Sequence, residues 1–173
     1  MNEICEICKH IKFSLPLAIY VNQRHTERII VGMLQAEDAD GMLLRLLDSQ
    51  GKVDGVGLIR NDSVYRVEQG SHDLQELNAD SSASQPVAIG CSTWQFFLQN
   101  AVAGRRLLSV TMCSGRVIRG FPDSFDENGV TLQSNSANKC GIRFIHRKNI
   151  AWICCDSRDE RTIEAKCKEG ESE

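Results

Sequence analysis

LLSVTMCSGRVIRGFPDSFDENGVTL, residues 107–132, is the stretch on which the fold turns. Leu108, Val110 and Met112 alternate with Ser109 and Thr111, which predicts a strand with one apolar and one polar face. Ser114-Gly115 is a tight-turn signal and returns the chain into a second run, Val117 to Phe121. Gly120 interrupts that run, as a glycine does where a strand bends sharply or another backbone comes close. Asp126-Glu127-Asn128-Gly129 is a second turn, and Val130 to Gln133 opens a third strand. Three short strands around a mid-strand glycine predict a small, strongly bent antiparallel sheet.

Elements of the same kind flank this stretch. Upstream, Ser92-Thr93 can cap a helix over Trp94 to Val102 that Gly104 ends. Downstream, Ser134 to Lys139 reads as a polar loop. Ile142 to Ile145 and Ala151 to Cys154 read as strands joined by the turn His146-Arg147-Lys148-Asn149. The tail from Asp156 mixes charges and reads as a short helix or as disorder. In the first half, Glu3 to Phe13 places Ile4, Ile7 and Ile11 on one helical face, and Pro16 ends it. Strands follow over Leu17 to Val21, Arg28 to Leu34, Met42 to Leu47, Gly57 to Arg60 and Val64 to Val67. Polar turns at Asn22 to Thr26, Glu37 to Gly41, Asp48 to Asp54 and Asn61 to Ser63 separate them. Residues 69–90 are Ser- and Asp-rich and read as a linker.

The two halves superpose as a repeat. Gly32, Asp38, Gly41 and Leu44 lie 88 positions before Gly120, Asp126, Gly129 and Leu132. Ile59, Val64 and Val67 lie 86 positions before Ile145, Ile150 and Ile153. The chain therefore divides into a first unit (1–68), a linker (69–90), a second unit (91–155) and a charged tail (156–173). The six residues Gly32, Asp38, Gly41, Gly120, Asp126 and Gly129 are assigned to turns and bends rather than to chemistry, with both aspartates holding backbone amides.

Charge is uneven under a net of -3. Residues 91–155 hold 8 basic against 3 acidic side chains, whereas the first unit, the linker and the tail are each acidic. A basic segment can attract polyanions, or be a solvated surface that the acidic tail offsets. No apolar run approaches the roughly 18 residues that span a bilayer, so no membrane is expected. The first residues lack the basic-then-apolar order of a secretory leader, which makes the cytoplasm the expected location. Eight cysteines, scattered through the elements, read as reduced and partly buried thiols.

A helix followed by five short strands, with a glycine inside the second, resembles the Sm superfamily (Sm, LSm and bacterial Hfq). The second half is the closer match. Phe96-Phe97-Leu98-Gln99-Asn100-Ala101 resembles the Hfq helix and Val110 to Gly120 its first hairpin. Ser124-Phe125-Asp126 resembles the approach to its third strand, and Arg147-Lys148 stands at its Lys-His position. The resemblance implies an all-β chain: two tandem five-stranded bent barrels, each with an N-terminal helix. It further implies RNA as partner, and self-association of strand edges into a ring or dimer, the fourth strand of one barrel against the fifth of the next. The residues depart from the pattern where bases would stack. Asp40 and Asn128 stand at the stacking positions, and Thr111 and Val117 replace the tyrosine and lysine of the distal face.

The candidate RNA contacts are His146, Arg147 and Lys148 on one tight turn, and Arg105 and Arg106 at the end of the helix. The alternatives are a solvated turn, and cations placed to favour a helix C-terminus. Cys5-Glu-Ile-Cys8 has metal-like spacing near His10, but a structural zinc needs about four ligands and no second Cys-x-x-Cys occurs, so no metal or cofactor is expected. No phosphate loop, His-Glu-x-x-His or nucleophile elbow is present, and no enzyme is expected. Two functions remain: RNA binding through phosphates, and a protein-interaction or assembly module that has lost base recognition.

Overall fold

Apolar residues at every second position become strands that bury one face. In the computed structural model, residues 10–21, 29–77, 79, 86–134 and 141–170 are described. The first half contributes β1 (Leu17–Val21), β2 (Ile29–Glu37), β3 (Gly41–Leu47), β4 (Val53–Arg60) and β5 (Val64–Gln69). The second contributes β6 (Leu108–Met112), β7 (Val117–Phe125), β8 (Gly129–Gln133), β9 (Ile142–His146) and β10 (Ile150–Cys155). Helices are α1 (His72–Glu76), α2 (Thr93–Ala103) and α3 (Arg158–Gly170). One 3-10 turn precedes the last strand of each half, Asn61–Ser63 before β5 and Arg147–Asn149 before β10.

The strands form one antiparallel sheet in the order β5-β1-β2-β3-β4-β10-β6-β7-β8-β9. Counted within its own half, each set runs fifth, first, second, third, fourth. The halves meet where β4 pairs with β10, Trp152 opposite Ile59, Ile153 opposite Leu58, Cys154 opposite Gly57 and Cys155 opposite Val56. A single sheet thus crosses both units, yet each keeps its own apolar cluster. Leu17, Ile19, Leu34, Leu44 and Ile59 fill the first. Leu108, Val110, Leu132, Ile145 and Ile153 fill the second.

Helix α2 roofs the second cluster. Trp94, Phe97, Leu98 and Ala101, at i, i+3, i+4 and i+7, are all buried there. Ser92 caps it by accepting from the Gln95 amide at 3.2 Å. Gly104 follows the helix but stays right-handed (φ -81°), and Arg105 takes the left-handed conformation (φ 48°) instead.

Several boundaries differ from the sequence reading. β4 starts at Val53, inside the stretch expected to be a turn, and passes Gly55 with φ 97°. β7 runs on through Pro122 to Phe125, because a bulge between Pro122 and Ser124 accommodates a residue without an amide hydrogen. The expected linker contains α1, whose Leu74 is buried, and the Val87 amide donates to Gln35 O at 2.9 Å. The charged tail, read as a short helix or as disorder, contains the helix α3, but its Glu160 and Glu164 are buried. Of the first expected helix, residues 1–9 lie outside the described residues, and His10 to Pro16 form turns and bends. The expected turn at 22–26 and most of the loop at 134–139 also lie outside them.

The repeat is geometrical as well as textual. A Cβ on Gly32 would meet the Arg45 carbonyl at 2.6 Å and Leu44 Cβ at 3.2 Å. A Cβ on Gly120 would be driven into the Gln133 carbonyl and meet Leu132 Cβ at 3.0 Å, the same two partners 88 positions on. Close approach of backbone, rather than a positive φ, excludes a side chain at both sites. Gly120→Ala should therefore cost about 1–3 kcal/mol, the usual range for overpacking, with Gly32→Ala comparable; urea unfolding of the full chain measures both.

Candidate functional site

The two aspartate turns build the junction between the halves. Asp38 Oδ1 accepts from the amides of Asp40 (2.8 Å) and Gly41 (3.0 Å). Asp126 Oδ1 does the same for Asn128 (2.7 Å) and Gly129 (3.0 Å). Only Asp38 goes further. Its Oδ2 accepts from the Thr93 amide at 2.6 Å and its Oδ1 from the Thr93 hydroxyl at 2.8 Å. A first-half carboxylate thus completes the N-terminus of a second-half helix, where orphan amides and the helix dipole both favour an anion. The next residue, Trp94, donates its indole N–H to Asp126 O at 2.7 Å. α2 is therefore pinned to both turns at once.

Arg147 locks the same junction from the other side. Its Nη2 lies 2.8 Å from Asp40 Oδ1, and its guanidinium sits 4.9 Å from the centroid of the Trp94 ring. Arg60 Nη1 donates to Arg147 O (2.8 Å) and Ile150 O (3.0 Å), which ties the Arg147–Asn149 turn to the end of β4. Asn61 Nδ2 donates to Asp38 O at 2.8 Å. The cleft here is lined by Asp40, Trp94, Gln95, Asp126, Glu127 and Arg147. Three carboxylates against one guanidinium make it a poor phosphate cradle.

The five candidate cations are placed unequally. His146, Arg147 and Lys148 share the turn before β10; His146 and Lys148 are exposed, and His146 Nδ1 accepts from the Lys148 amide at 3.4 Å. Arg147 is committed to Asp40 and Trp94. Arg106 pairs with Asp156 at 3.1 Å, while Arg105 is exposed beside it. Cys5 and Cys8 lie outside the described residues.

The sequence reading missed Arg60, Trp94 and the acidic side of α3. Trp94 sat in a predicted helix with no sign of its hydrogen bond. Glu160 accepts from the Ser109 hydroxyl (2.5 Å), the Ser157 amide (3.0 Å), the Ser157 hydroxyl and the Cys154 thiol (3.6 Å). Glu164 Oε1 accepts from the Leu107 amide at 2.7 Å. A charge run gives no hint that two of its members are buried acceptors.

Burial raises the pKa of the Cys154 thiol far above the ordinary thiol range, with Glu160 adding to it, and pushes Cys155 up to about 12, with Asp156 adding. Neither is suited to be a thiolate nucleophile at neutral pH. No protein-family model and no curated protein matches the chain.

Two predictions test this geometry. Asp38→Ala should cost more than Asp126→Ala, because it leaves the Thr93 amide unpaired as well as its own turn; the excess is about 1–2 kcal/mol in paired denaturation curves. Cys154 and Cys155 should resist a thiol reagent at pH 8 until denaturant is added. The stabilising share of Cys155 is whole below the ordinary thiol pKa of 9.0 and fades as pH rises toward the raised value of about 12.

Proposed function

We propose that this chain is a non-enzymatic assembly module, two Sm-like bent barrels in tandem that associate with further copies through strand edges. The observation that carries the reading is the β4–β10 junction: the fourth strand of one half pairs with the fifth of the other. It leaves β9 and β5, again a fourth and a fifth strand, at the two ends of the sheet order. The fifth-first-second-third-fourth order of each half and the matched aspartate turns support the barrel reading. An end strand with unpaired backbone groups is a standing invitation to another chain.

RNA binding is the second reading, supported by the exposed Arg105, His146 and Lys148. Against it, Arg147 and Arg106 already face Asp40 and Asp156, and no aromatic ring stands at the stacking positions Asp40 and Asn128. Light scattering over a concentration series, with a titration of uridine- and adenine-rich RNA at low salt, separates the two. The expected result is a mass that rises with concentration and RNA binding that is weak and lost with salt. A constant single-chain mass would remove the assembly reading. Tight binding lost in Arg105→Ala/Lys148→Ala would put RNA first.

A further inference from the structure

A second cleft, of 460 Å³, opens at the seam and shares no residue with the one around Arg147. The first half supplies Ile29 and Ile30 of β2 and Leu46 of β3; the second supplies Val117 of β7 and Trp152 of β10. These five make an apolar wall, and Ile29 is left 48% exposed in it. The volume is that of a small-molecule site, usually about 300–1,000 Å³. Trp152 Nε1–H is buried with no hydrogen-bond partner among the described residues, so the protein's own pairing is incomplete at this wall.

Four charged side chains line the rest of it: Arg119, Asp54, Asp159 and Glu160. Two of the carboxylates are already engaged. Glu160 is 2% exposed and accepts from the Ser109 hydroxyl and the Ser157 amide. Asp54 Oδ1 accepts from the Arg158 amide at 2.6 Å and pairs with Arg161. The other two charges are open. Arg119 donates its Nε to Ser109 Oγ at 3.1 Å, and Ser109 in turn donates to Glu160. A buried carboxylate thus orients the guanidinium through one hydroxyl. The terminal nitrogens of Arg119 meet no carboxylate among the described residues. Asp159 is exposed, and its side chain makes no hydrogen bond or ion pair among them either.

One open cation and one open anion therefore share a cleft without reaching each other. A ligand that is only an anion satisfies Arg119 but brings its charge beside three carboxylates. A ligand that is only a cation leaves the oriented guanidinium unused. A zwitterion meets both groups and adds no net charge. The guanidinium fork matches a carboxylate, and a carboxylate such as Asp159 matches an ammonium. The apolar wall accepts an aliphatic or aromatic body. These three features together describe an α-amino acid with an apolar side chain.

We propose that this cleft binds a free α-amino acid of that kind, with its carboxylate on Arg119, its ammonium on Asp159 and its side chain against Val117 and Trp152. The site is independent of the assembly reading. Its walls come from both halves, so an occupied cleft ties them together and stabilises the folded chain in proportion to ligand concentration.

L-Leucine and L-phenylalanine are the probes, titrated into the full chain and followed by calorimetry and by tryptophan fluorescence. The chain has 2 tryptophans, and Trp94 lies outside this cleft, so Trp152 is the local reporter. The expected result is one site per chain, saturating at about 1 mM or below. Isocaproate lacks the ammonium and isoamylamine lacks the carboxylate; each should bind about 10-fold or more weaker than leucine, as loss of a charged hydrogen bond dictates. Arg119→Gln and Asp159→Asn change exposed side chains, and circular dichroism confirms their fold. Arg119→Gln should weaken leucine by about 10-fold without weakening isoamylamine. Asp159→Asn should weaken leucine by a similar factor without weakening isocaproate. If neither amino acid binds, or if binding is unchanged in both variants, the proposal falls. If isocaproate binds as well as leucine, the ammonium contact is absent and the amino-acid assignment falls with it. Chain mass plays no part in these readouts, so failure here leaves the assembly reading standing.

Discussion

The pairing of β4 with β10 is the constraint on which the rest of the molecule depends. Each half alone would present two unpaired strand edges and a cluster only partly covered. Joining them satisfies one edge from each half and lets Leu58 and Trp152 fill each other's cores. The polar contacts follow from that geometry. With the halves held edge to edge, Asp38 reaches the start of α2, and Arg147 reaches Asp40 across the seam. Those ionic groups would cost desolvation energy if they were not paired, so they fix which edges meet as much as they strengthen the contact.

Much of this was legible in the chain because the physics is local. Alternating apolar residues marked β1, β6, β8 and β10 closely. The pattern Trp94, Phe97, Leu98, Ala101 with Ser92 ahead of it marked α2. Gly32 and Gly120, with Asp38 and Asp126 behind them, marked the repeat, since both glycines admit a neighbouring carbonyl and both aspartates hold amides two and three residues on. Where tertiary context overrides local signals, the reading failed. Val53 and Asp54 look like turn residues but extend β4, and Arg158 N donates to Asp54 Oδ1 at 2.6 Å from the tail. Pro122 looks like a strand terminator but sits beside a bulge. Glu160 and Glu164 look like solvent-facing charges of a tail, yet they are buried acceptors, Glu160 for the Ser109 hydroxyl of β6 and Glu164 for the Leu107 amide just before it.

The candidate site shows the same division. Which residues are cationic is plain from the sequence; which cations are available is not. Availability depends on whether a carboxylate from a distant segment lies within reach. Asp40 is more than 100 positions from Arg147, and Asp156 is 50 from Arg106. A count of charge over residues 91–155 treats the two arginines as surplus, whereas the fold has already matched each of them. Arg105, next to one of these, is exposed and takes a left-handed backbone.

The long reach of the seam also orders events in time. Neighbouring strands such as β6 and β7 close over short loops. Arg60 and the carbonyls it binds are separated by 87 and 90 residues. Contacts of that separation form after local hairpins, because the entropy of closing so large a loop has to be met first. Until then β4 and β10 lack a neighbour on one side, as β5 and β9 do among the described residues, and nothing in their backbone distinguishes a partner on the same chain from one on another. At high concentration during refolding, β4 of one molecule is therefore offered β10 of a second, giving an exchanged pair with the same native contacts. Segment 69–90, with Ala79 packed against Met33 and Leu47 and the Val87–Gln35 hydrogen bond fastening parts of it to the first half, shortens the free tether and favours closure within one molecule.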